Sequence, residues 1–181
     1  VLDLNQILRN EKNIEIDIPN GMKKNTIYQA RITAQDCLGN SGNTIEKVFA
    51  LPSILASKDL LINEILFDPP SGGVDYLEIF NASEKLLSAD KVIISNGTTR
   101  HIIRSNILLP PKTYWVISSD PEWIAKNYLK VIKGQIIKNA IPSMPNEKGF
   151  IALYSPLNIL IDTFQYNQNL HYKLLNQREG V

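Results

Sequence analysis

Two glutamates set inside apolar, strand-like segments are the residues best placed to do chemistry: Glu64 within Leu60 to Phe67, and Glu78 within Val74 to Asn81. Alternation along an extended chain puts Glu64 on a face with Ile62 and Leu66, and Glu78 on a face with Tyr76 and Phe80. A half-buried carboxylate needs a partner. If the two segments pair across the turn at residues 69–73, the glutamates approach each other and, with Asp68 or Asp75, offer oxygen ligands to Ca²⁺. As a pair with one raised pKa they would instead suit glycoside hydrolysis. No fixed-spacing calcium loop is present, and acids that accept hydrogen bonds from turn amides or from Arg100 and Arg104 satisfy the same pattern. The structural role is therefore the expected one. Glu64, Asp68, Asp75 and Glu78 stand as calcium candidates, and no catalytic residue or obligatory cofactor is assigned.

Other chemistry finds less support. Cys37 is the only cysteine, which excludes an intrachain disulfide and a cysteine zinc cluster. No His or basic residue adjoins it to stabilise a thiolate, so a small half-buried side chain is expected. His101 and His171 are far apart and lack a neighbouring Cys or metal-spaced acid. No serine sits in a Gly-x-Ser-x-Gly turn. Gly72-Gly73 is too short to cradle a phosphate and reads as a turn. Tyr114, Trp115, Trp123, Tyr128, Tyr154, Phe164, Tyr166 and Tyr172 could include a stacking platform for a sugar or base, but most are expected in a core. Lys126, Lys130, Lys133 and Lys138 read as a solvated basic face.

The elements that must hold these residues are mostly strands. Alternation marks Ile14 to Ile18, Thr26 to Gln35 and Thr44 to Leu51, with a Gly/Asn-rich turn at residues 38–43. Further strands are expected at Leu60 to Phe67, Val74 to Asn81, Lys91 to Ser95, Thr99 to Arg104, Tyr114 to Ser118, Val131 to Ile137, Phe150 to Tyr154 and Ile159 to Tyr166. One helix is expected over Glu122 to Tyr128, with Ser119 or Asp120 as its cap and Pro121 at its first position. This predicts a partial β-sandwich segment over 1–52, a linker at 53–58 and an all-β sandwich domain with one short helix over 59–181. Lacking its first strands, the N-terminal part should leave an edge and an apolar face uncovered.

The 181 residues, 44% hydrophobic and 20% charged, suit one sizeable core or two small ones. With 19 Lys+Arg against 18 Asp+Glu, the net charge of +1 offers no long-range attraction to nucleic acid, which disfavours a nucleic-acid partner. No apolar run approaches the roughly 20 residues that span a bilayer, so membrane insertion is not expected. No targeting signal is legible, and the start at Val1 suggests an excised segment.

The run Ile62-Asn63-Glu64-Ile65, then Asp68-Pro69, Gly72-Gly73 and Asp75-Tyr76-Leu77-Glu78-Ile79-Phe80-Asn81 resembles the opening signature of the lamin-tail family. The likeness extends through residues 108–117, where Lys112 replaces the family's glycine, and through 143–153, 159–166 and the beginning of a closing segment at 171–181. The Trp expected near Lys91 is absent, which leaves packing there to Val92, Ile93 and Ile94. Residues 26–51, with Asp36-Cys37-Leu38-Gly39-Asn40, resemble the last strands of a bacterial immunoglobulin-like or fibronectin-like module. These resemblances imply an immunoglobulin-like β-sandwich of lamin-tail type. They imply a non-catalytic structural or recognition module of a larger exported or cell-surface bacterial protein, located outside the cell and presenting loops to a protein or glycan. The alternative they leave is an accessory module that positions substrate for an exo-acting hydrolase or nuclease domain.

Overall fold

The computed structural model describes residues 18, 21–128 and 132–170. The strand expected over 14–18 lies outside these residues except for Ile18; also outside are Lys130, the Lys133 side chain, His171, Tyr172 and the closing segment. The fold is all-β and sandwich-like, with one short α-helix among the described residues.

β1 (Ile27–Ile32) and β2 (Ile45–Ala50) form an antiparallel hairpin in which Tyr28 faces Phe49, their rings 5.7 Å apart. The Asp36 carboxylate accepts the backbone N–H groups of Leu38 and Asn40, which fixes the turn around Gly39, whose φ is positive. These bonds hold the Asp36 carboxyl below its usual pKa, the Asn40 side chain contributing most. Ile27, Ile32, Ile45 and Val48 are exposed, and among the described residues no third strand joins this sheet. Cys37 is also exposed, contrary to the half-buried position expected, because it occupies the tip of the turn and not the strand.

The chain then supplies β3 (Leu60–Leu66), β4 (Tyr76–Asn81), β5 (Leu87–Ser88), β6 (Ile93–Ser95), β7 (Arg100–Ile102), β8 (Leu108–Leu109), β9 (Tyr114–Ser118), α1 (Pro121–Asn127), β10 (Ile136–Lys138), β11 (Lys148–Tyr154) and β12 (Leu160–Asn167). One sheet has the order β10-β9-β4-β3, with β10 parallel to β9; the other has the order β12-β11-β6-β7. Their inner faces meet in one core that includes Leu77 and Ile79 from β4, Ile117 from β9, Ile94 from β6, and Ile151 and Leu153 from β11. Val92 and Ile94 are fully buried, so the segment near Lys91 packs without a tryptophan.

Helix α1 begins where expected. Asp120 accepts the N–H groups of Glu122 and Trp123, and Pro121 occupies the first turn. Ile124 is buried, and with Leu66, Tyr76 and Val116 it forms a second cluster on the outer face of the β3-β4-β9-β10 sheet. Crossing that face lets the chain pass from β9 to a parallel neighbour.

Residues 53–58 are docked on the sandwich. Leu55 is buried in its core, Ser53 N–H donates to the Leu86 carbonyl at 2.9 Å, and Lys58 Nζ lies 2.6 Å from Asp162 Oδ1. The hairpin joins there as well, because Asn25 Oδ1 accepts from Ser53 Oγ and Leu86 N–H. Asp162, buried on β12, also accepts the Ile62 N–H of β3 at 2.9 Å and so stitches the two sheets along one flank. The Lys58 and amide hydrogen bonds outweigh burial and hold the Asp162 carboxyl below its ordinary pKa.

Candidate functional site

Glu64 and Glu78 are direct cross-strand partners on β3 and β4. The register slips between Ile62 and Glu64, making Asn63 a β-bulge. The bulge reverses the strand's alternation. Ile62 opposes Ile79 toward the core, whereas Glu64 turns outward with Leu66; the expected shared face of Glu64 and Ile62 is therefore corrected by one extra residue. It also brings Asn63 beside Glu78, where Nδ2 donates to Oε1 at 2.7 Å. Glu64 accepts the Tyr76 hydroxyl hydrogen bond, and Tyr76 packs edge-on against Tyr128 at 5.6 Å. The acids are thus served by Tyr76 and Asn63 and not by the expected Arg100 and Arg104; Arg100 lies on β7 of the other sheet and Arg104 follows that strand.

The electrostatics follow from this packing. Burial raises the Glu78 pKa, the facing Glu64 charge adds to the rise, and the Asn63 hydrogen bond opposes it. Burial and then the hydrogen bond to Glu64 push the Tyr76 hydroxyl far up, so it remains a donor across the physiological range. Burial raises Tyr128 too, again helped by Glu64. Beside these acids, Phe80 and Tyr114 stack with ring centroids 4.5 Å apart, and Tyr114 is exposed. The group is an open face with two held carboxylates and an aromatic step.

Asp68 and Asp75 lie elsewhere, at the end of the sandwich away from the hairpin. Residues 68–74 join β3 to β4 there; the Asp68 carboxylate accepts from Asn146 Nδ2, and the Asp75 carboxylate is hydrogen-bonded by the Met144 backbone. Residues 95–99 join the same cluster, since Asn96 Nδ2 donates to the Ser143 carbonyl at 3.1 Å. Three loops, 68–74, 95–99 and 140–149, are therefore cross-tied through the last of them. Burial pushes the Asp75 carboxyl up to about 6 against the opposing Met144 hydrogen bond, with a smaller push from Asp68.

Beneath the loops, Tyr166 packs against Phe67 at 4.4 Å between ring centroids. Its buried hydroxyl has no hydrogen-bond partner among the described residues, and burial, assisted by the Asp75 charge, raises it to about 12. The ring lies over Gly149, its cross-strand partner, where any Cβ would overlap it. The sequence counted Tyr166 among eight aromatics of which most were expected in a core, and carried no sign of an unpartnered hydroxyl.

The calcium candidates thus divide into two pairs, Glu64 with Glu78 and Asp68 with Asp75. Among the described residues no three His, Cys, Asp or Glu side chains group as metal ligands. Of the aromatics, Trp115 and Tyr166 are buried, Trp123, Tyr128 and Tyr154 half-buried, and Tyr114 and Phe164 exposed. His101 is half-buried, while Lys126 and Lys138 are solvated as expected. Sequence reasoning missed an apolar groove of about 240 Å³ between β3 and β12, where Ile62, Ile65 and Phe67 face Phe164 and Tyr166. Alternate aromatics at the end of β12 were its only signal. No helix among the described residues is long and apolar enough to cross a membrane. No protein-family model matches the chain, and no curated protein sequence matches it.

Proposed function

We propose that this chain is a non-catalytic recognition module of a larger exported or cell-surface bacterial protein: a lamin-tail-like, immunoglobulin-like sandwich preceded by the closing hairpin of another such module. The cross-tied loops 68–74, 95–99 and 140–149 carry this reading, because rigid sheets that hold several loops at one end form a preorganised contact surface. The partner is a protein or glycan. Carboxylates fixed by Tyr76 and Asn63 on an open face favour structure over acid–base catalysis. A second reading, an accessory module positioning substrate for a hydrolase or nuclease domain, draws on the Phe80–Tyr114 stack beside Glu78, which suits a sugar ring.

The test is a glycan-array and protein-partner screen of the chain with calcium and EDTA arms and an oligonucleotide control, followed by amide-shift mapping of any hit. Shifts confined to the three loops support the recognition reading. Shifts centred on Phe80 and Tyr114 replace it with substrate positioning. Calcium-dependent binding lost in Glu64→Gln or Asp75→Asn would make the acids ligands, and silence on every arm with the fold intact would leave a spacer.

A further inference from the structure

We propose that the free edge of β7 is a docking site for an extended acidic peptide strand, anchored by Arg100 and Arg104. Among the described residues the strand is outermost in its sheet. Ile103 N–H donates to Val92 O, and Lys91 N–H donates to Ile103 O, so Ile103 spends its backbone groups on the β6 side. Antiparallel alternation then turns the N–H and C=O of Ile102 outward, to the edge that no described strand pairs with. The Ile102 side chain is 46% exposed. An open notch of about 370 Å³ runs along this edge, lined by Arg100, His101, Ile102, Arg104, Asn139 and Ala140.

The notch carries two arginines that no acid among the described residues pairs with. The ion pairs among the described residues join Arg31 to Glu46, Lys58 to Asp162, Lys85 to Asp59 and Lys112 to Glu84; none reaches Arg100, His101 or Arg104. Arg100 is positioned without being neutralised. Its Nη1 donates to Asn158 Oδ1 at 2.8 Å, and its guanidinium lies over the Tyr154 ring at 4.9 Å. Asn139 Oδ1 accepts the Arg104 backbone N–H at 3.3 Å, which holds the segment extended and leaves the guanidinium to the notch. Exposed Lys138 adds to the positive field.

Main-chain pairing distinguishes the partner. A phosphodiester or glycan offers no alternating N–H and C=O to match Ile102, whereas a peptide strand does. In an extended chain Arg100 and Arg104 share a side and stand about 13 Å apart, the spacing of carboxylates at i and i+4 in an added strand. The site lies on the flank of the sandwich and meets the loop cluster at Ala140, the first residue of the 140–149 loop.

The experiment uses the whole chain and a labelled Thr-Glu-Thr-Val-Thr-Glu-Thr peptide, its Lys-for-Glu counterpart, a sulfated oligosaccharide and an oligonucleotide. Binding is read by fluorescence anisotropy at about 50 and about 150 mM salt and by amide shifts. The acidic peptide is expected to bind, to move the Ile102 amide and to weaken with salt. Arg100→Ala with Arg104→Ala should cost at least about tenfold in affinity, and Lys112→Ala should change nothing. Arg100→Glu with Arg104→Glu should switch preference to the lysine peptide. No peptide binding, binding that leaves Ile102 unmoved, or stronger Arg-dependent binding of the oligosaccharide or oligonucleotide would overturn the assignment.

Discussion

Replacing Asp75 by Asn isolates the electrostatic cost built into the loop end. Its carboxyl is raised from 3.8 to about 6, chiefly by burial. Between those values the unfolded chain has released the proton and the folded chain retains it, so the group's contribution to stability is full below about pH 4, falls as pH rises toward 6, and is flat above. At 1.36 kcal/mol per pKa unit, the shift corresponds to at most about 3 kcal/mol. Because the side chain is half in water, on the order of 1 kcal/mol is expected. Asn retains an acceptor for the Met144 amide and carries no charge. Asp75→Asn should therefore stabilise the fold by about 1 kcal/mol at pH 7, raise Tm by about 2–4 °C, and match the wild type near pH 4. Urea unfolding between pH 4 and 7.5, with equal m-values, measures the difference. A difference that does not change with pH, or a destabilised variant at pH 7, would refute the burial argument. Stabilisation of the wild type by calcium, abolished in the variant, would instead identify Asp75 as a ligand whose charge is used.

Two further substitutions test the packing. Leu55→Ala should cost about 2–5 kcal/mol in chemical unfolding, because residue 55 belongs to the sandwich core; a loss below about 0.5 kcal/mol would return 53–58 to the status of a free linker. Gly149→Ala should cost about 1–3 kcal/mol by forcing the Tyr166 ring off its partner, whereas Tyr166→Phe should be neutral or stabilising by up to about 1 kcal/mol, since it removes a buried hydroxyl with no partner among the described residues. Scanning calorimetry of both variants decides these, and a large loss in Tyr166→Phe would reveal a hydrogen bond to that hydroxyl.

Short apolar runs between turn signals were legible as strands: Tyr114–Ser118 falls where it was expected, although both of its faces are covered, and the Leu60 and Asn81 boundaries hold. The helix start was equally legible, since Asp120 and Pro121 act locally. The Asn63 bulge was not, because an extra residue leaves no compositional mark and shows only when two strands are set in register. Leu87–Ser88 and Leu108–Leu109 were missed because two-residue strands carry no period. Lys112 shows how one backbone demand can be met by another residue: it stands at positive φ where the resemblance led one to look for glycine, with its ammonium on Glu84. Asn81 ended the recognised motif, but its buried amide donating to Lys85 and Leu109 could be found only in three dimensions. The paired positions of Glu64 and Glu78 followed from the turn between their strands; their hydrogen-bond donors did not.

The short edge strand β7 also bears on self-association. Two copies meeting antiparallel about Ile102 would set Arg100 of one against Arg104 of the other, with like charges at both ends of the join. Edge-to-edge polymerisation through this flank is therefore disfavoured. On the opposite flank, Asp162 already occupies the Ile62 amide that an incoming strand would need. The molecule can keep an edge open to an acidic stranger while discouraging its own copies.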